Sequence, residues 1–68
     1  MDLYELKPGD RVRTTDGAVA EVLNDTQDGQ WILVRYVECP DDPALVGTED
    51  LCHDDELQAV VQRHSASR

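Results

Sequence analysis

The run Trp31-Ile32-Leu33-Val34-Arg35-Tyr36-Val37-Glu38 constrains this chain more than any other segment. It is dense in β-branched and aromatic residues, which fit the pleated, half-buried surface of a strand. Under two-residue alternation Ile32, Val34 and Tyr36 take one face, and Trp31, Leu33, Arg35 and Val37 take the other. Both faces are mainly apolar, so the run predicts a central, curved strand that serves both halves of a small β structure. A chain of 68 residues has material for one core only. A domain of that size buries about 60% of the surface its unfolded chain exposes, which leaves little room for a large active-site cavity.

The remaining strands follow from alternation and turn chemistry. Met1–Leu6 is a short lead-in, an edge strand or one helical turn that plugs an open end. Lys7-Pro8-Gly9-Asp10 marks a turn, and Asp10–Thr15 a strand with Val12 inward and Arg11 and Arg13 outward. Asp16-Gly17 is a hairpin signal in which both residues are expected at positive φ, and Ala18–Leu23 is the return strand with Ala20 and Val22 on one face. Asn24–Gln30 is a polar loop. The prolines at 40 and 43 and Gly47 make Cys39–Thr48 another loop, with Ala44, Leu45 and Val46 as an apolar tuck within it. Glu49–His53 is a fourth strand, Asp54–Leu57 a tight or single-turn helical connection, and Leu57–Val61 a last strand. A two-turn C-terminal helix is the alternative for that last segment, because Leu57, Val60 and Val61 also fit a helical stripe behind an acidic first turn. Residues 1–62 are thus expected to be one domain. Residues 63–68 are polar, lack a core anchor and read as a flexible tail.

Gly9-Asp10-Arg11-Val12, Asp16-Gly17, Ala20-Glu21-Val22, Trp31-x-x-Val34-Arg35-Tyr36 and Asp50-Leu51 through Leu57 together resemble small SH3-like barrels of the KOW and Tudor types. The resemblance spans roughly residues 6–61 and implies a mainly β fold, a small barrel of about five short antiparallel strands. It does not select a function, since one such fold hosts many partners.

Charge narrows the choice. Fifteen acids against six Lys and Arg give a net charge of -9, which repels phosphate backbones. Nucleic acid is therefore disfavoured, although Arg11, Arg13 and Arg35 are the candidate patch for a KOW-like nucleic-acid or ribosome-associated module. A Tudor-type aromatic cage is disfavoured too, because the only rings are Tyr4, Trp31 and Tyr36, and the last two fall on opposite faces. The leading expectation is a small acidic accessory module that binds a protein, a basic one being favoured by charge. Its candidate contacts are Trp31, Leu33, Arg35 and Val37 on the strand, with Pro40, Pro43 and Leu45 in the following loop. For the Trp31 face itself the favoured expectation is burial within the fold, against the first or last strand, with contact to a partner or to a second copy in a homodimer as the alternative.

Chemistry of other kinds finds little support. Cys39 and Cys52 are separated too widely for the usual start of a zinc site, and Cys52 and His53 point to opposite faces of a strand. The same divergence disfavours a Cys–His nucleophile, so a thiol-dependent enzyme is a distant alternative, and no cofactor, metal or catalytic residue is expected. The amino end carries no charged segment followed by an apolar run, and no run reaches membrane-spanning length. With only two cysteines, the expectation is a reduced, cytoplasmic protein without membrane contact.

Overall fold

The computed structural model describes residues 1–63. Alternation becomes strand where it is strongest: β1 is Arg11–Thr14, β2 Val19–Val22, β3 Trp31–Glu38, β4 Glu49–His53 and β5 Leu57–Gln62. All neighbours pair antiparallel in one sheet of order β4-β3-β2-β1-β5. The only helical elements among the described residues are three 3-10 turns, Leu3–Glu5, Pro43–Leu45 and Asp54–Glu56. The protein is mainly β, and none of its helices is long and apolar enough to cross a membrane.

β3 is the longest strand, as its composition predicts, yet it stands second from the edge and β2 occupies the middle. Ala20 and Val22 of β2 are fully buried, so its short side chains accept the layer packed over the centre of the sheet. Val12, Ile32, Val34, Cys52 and Leu57 join them in one core, to which both edge strands therefore contribute. The N-terminal 3-10 turn completes it with Leu3 and Leu6. That turn is capped by Asp2, whose Oδ1 accepts from the Tyr4 N–H at 3.0 Å. The lead-in is thus a helical plug and not an edge strand.

The β1–β2 connection corrects one expectation. Gly17 N–H donates to the Thr14 carbonyl at 3.1 Å and Thr14 N–H to the Ala18 carbonyl at 2.8 Å, so the loop has three residues. Only glycines have positive φ among the described residues, and Gly17 at 89° takes the bulge position alone. Asp16 keeps an ordinary φ and instead receives the Thr14 hydroxyl. Register shifts interrupt the β1–β5 pairing twice and the β2–β3 pairing once, and such bulges increase strand bend and twist.

One further correction concerns the loop after β3. Leu45 and Val46 do not tuck in: they are 38% and 48% exposed. Their loop closes on itself through polar bonds, with Leu45 N–H on the Asp42 carbonyl at 2.9 Å and the Thr48 hydroxyl on the Leu45 carbonyl at 2.5 Å. The last segment is the expected strand and not the alternative helix, and a helical turn falls on Asp54–Glu56 before β5. β1 offers a whole strand edge, whereas a two-turn helix is marginal alone. Gln62 closes β5, and Arg63 donates to the Glu5 carbonyl at 2.9 Å. The rest of the expected tail lies outside the described residues.

Candidate functional site

Trp31 is fixed by the loop before it. Asp28 Oδ1 accepts from the N–H groups of Gln30 at 2.9 Å and Trp31 at 3.2 Å. The Thr26 hydroxyl accepts from Gly29 N–H at 3.0 Å and donates to the Trp31 carbonyl at 2.8 Å. These bonds draw the Asp28 carboxyl below the ordinary aspartate value of 3.8, the Gln30 and Trp31 N–H groups being the main causes. The start of β3 is therefore held by polar side chains, while the indole stays 44% exposed.

Register supplies its neighbours. Leu33 stands opposite Leu51, and Trp31 opposite His53. Leu51 is 55% exposed, and Leu33 is half-buried. Trp31, Ile32, Leu33 and Leu51 line an open groove of about 280 Å³ together with Asn24, Asp25 and Gln27. The His53 ring meets the indole edge to face, with centroids 4.8 Å apart. His53 Nδ1 lies 2.8 Å from Asp54 Oδ1 and 2.9 Å from Asp55 Oδ1. It also lies 3.4 Å from the Asp55 backbone N–H, but one nitrogen does not both donate and accept. The two shorter carboxylate contacts assign it as a donor. These three side chains bring ligand-type atoms within 4.8 Å of one another on an open surface, already engaged in the turn.

The sequence candidates separate into two places. Trp31, Leu33, Arg35 and Val37 share the outer face of β3, with Trp31 and Arg35 exposed and the other two half-buried. Packing inside the fold does not cover Trp31. Pro40, Pro43 and Leu45 are exposed as well, but they follow the far end of β3, about 23 Å of strand away from Trp31. They do not join the groove. Leu51 and the 24–27 loop take that place, and Leu51 was within reach of alternation: with Cys52 inward, its neighbour turns outward.

Arg11, Arg13 and Arg35 also lie on the outer face, but not as a basic patch. Arg11, Glu21, Arg35 and Glu49 stand in one cross-strand row of alternating sign. Arg35 Nη2 reaches Glu49 Oε2 at 3.1 Å, a half-exposed pair that ties this cation to an acid. Arg13 faces Val19.

Cys39 and Cys52 are free and buried. Burial pushes the Cys52 thiol up to about 11, and the Glu56 and Asp50 carboxylates add to the shift. The Tyr36 hydroxyl, which donates to Asp50 Oδ2 at 3.4 Å, is raised for the same leading reason. A thiol held protonated at neutral pH is a poor nucleophile. No family model, curated protein or solved structure matches the chain.

Proposed function

We propose that this chain is a small, non-catalytic interaction module, an open SH3-like barrel that docks a basic protein segment in the Trp31–Leu51 groove. Chain connectivity supports the barrel. In a flat sheet of this order β4 and β5 would lie about 19 Å apart, four strand spacings. Only Asp54–Glu56 joins them, and the step from His53 to Leu57 reaches at most about 14 Å even when extended. That short connection favours a sheet whose two edges curl toward each other around the shared core.

The observation that carries the functional reading is the exposed Trp31 beside the exposed Leu51 in a groove whose lining includes one acid and no base. Asp25 lines the groove, Asp28 binds the Trp31 backbone, and Asp54 and Asp55 flank the histidine that touches the indole. The nearest cation in the row, Arg35, is engaged by Glu49. Such a site suits an apolar anchor followed by Lys or Arg, with the ring face available to a cation. The alternating charge row weighs against phosphate recognition, and the raised Cys52 thiol weighs against thiol catalysis. Two buried free thiols fit a reducing, cytoplasmic setting.

The test uses the single tryptophan as its own reporter. Titration with a peptide alternating leucine and lysine should shift Trp31 emission saturably, and Leu51→Ser should weaken binding while the far-ultraviolet spectrum stays folded. An emission spectrum unchanged at low salt and millimolar peptide sinks the proposal.

A further inference from the structure

The ring that packs on Trp31 belongs to histidine, the one side chain whose ordinary titration lies between about pH 5 and 8. The His53 and Trp31 centroids are 4.8 Å apart, with the planes inclined at 78°. His53 Nδ1 carries one hydrogen toward two carboxylates, Asp54 Oδ1 at 2.8 Å and Asp55 Oδ1 at 2.9 Å. Among the described residues no hydrogen bond or ion pair engages Nε2. A proton from solvent therefore adds at Nε2 without displacing a bond, and the contacts that orient the ring survive it.

The backbone holds this turn in place as well. His53 N–H donates to Glu56 Oε1 at 2.6 Å, Asp54 N–H to the Gln30 carbonyl at 2.9 Å, and the Met1 amine to the Asp54 carbonyl at 3.3 Å. The charges facing the imidazole are thus Asp54, Asp55 and Glu56 of its own turn, Asp28 of the loop before β3, and the Met1 amine. The charge of His53 reaches Asp28, whose carboxyl it helps to draw down behind the stronger effect of the Gln30 and Trp31 N–H groups. While the imidazole is neutral, Asp54 and Asp55 present two negative charges on the far side of the ring from the indole. Protonation cancels one of them. It also sets a cation against the indole, where it competes with any ligand cation for the ring and for the acids.

Given a basic segment in the groove, as proposed above, we infer that the charge of His53 regulates docking: the neutral imidazole leaves the Trp31 site open to a cation, and the imidazolium excludes one. No backbone movement is required, because the ring keeps both carboxylate contacts in either state.

The alternating leucine and lysine peptide is titrated against the protein at about pH 7.5 and about pH 5.5, a window in which carboxylates, ordinarily near about 4, and lysine, near about 10.4, hold their charge. Affinity read from the saturation of Trp31 emission should fall about threefold or more at the lower pH, the effect of one added charge at short range in water. The midpoint of that fall should coincide with the titration of the His53 imidazole followed by nuclear magnetic resonance, and His53→Gln should abolish the pH dependence. Should that variant fail to fold, the coincidence of midpoints in the unaltered protein decides. No saturable binding at either pH sinks the proposed docking and the switch with it. Equal or tighter binding at the lower pH overturns the switch alone, as does a fall that persists in folded His53→Gln or follows His64 or the Met1 amine instead.

Discussion

Gly29 combines two constraints that a substitution can separate. Its φ of 78° is one that L side chains rarely adopt, and a Cβ built there would meet Tyr4 Cε2 at 2.7 Å. Tyr4 is 63% exposed, so its ring can swing away, whereas the backbone cannot relax without unmaking the Thr26 and Asp28 bonds around Trp31. Gly29→Ala should therefore cost about 1–2 kcal/mol from the left-handed conformation, measured by urea unfolding, and the same cost should persist in a Tyr4→Ala background. If it vanishes there, the ring contact was the cause. Asp28 next door gives a pH-dependent prediction. Its folded carboxyl titrates below the ordinary 3.8, so its stabilising contribution is complete above that value and is lost as pH falls through the lower folded one. Asp16, drawn down mainly by the Thr14 hydroxyl, acts in the same direction. Asp28→Asn should flatten the loss of stability below about pH 4 in acid-titration melts, and an unchanged acid slope would refute the assignment.

At the scale of elements, β3 shows how far residue alternation reaches. Ile32 and Val34 are buried, and Trp31 and Arg35 are exposed, as two-residue periodicity predicts. The consequence is a sharp asymmetry in tolerance: Ile32→Ala should cost about 2–5 kcal/mol, as a cavity in a core with few alternatives to collapse into. Leu51→Ser on the opposite face should change stability by no more than about 0.5 kcal/mol. Thermal melts of the two variants check this, and equal losses would mean that the outer face is core. Strand spans and the inward set were legible because each depends on one segment. The place of β3 beside the edge, the three-residue turn after Thr14 and the exposure of Leu45 were not. Strand order depends on which edge the last strand finds, and the turn type on a hydroxyl–carboxylate contact that composition does not display. The groove was half legible for the same reason: Trp31 and Leu33 announce themselves, but Leu51 comes beside them only through the β3–β4 register.

For the molecule as a whole, a net charge of -9 on 68 residues gives salt two opposite effects. Intramolecular repulsion among acids such as Asp54, Asp55 and Glu56 opposes folding, and screening relieves it. Among the described residues the Arg35–Glu49 pair is exposed on both sides and of the kind worth at most about 1 kcal/mol, so screening removes little there. Stability should accordingly rise between about 0.01 and 0.15 M salt, as the screening length shortens from about 30 to 8 Å. Docking of a basic segment should fall over the same range, because there the attraction itself is screened. Melting temperature and Trp31 emission titrations on one sample series report the two trends together. Binding that strengthens along with stability would mean that the groove takes its partner through apolar contact alone, and that the acids around it serve solubility.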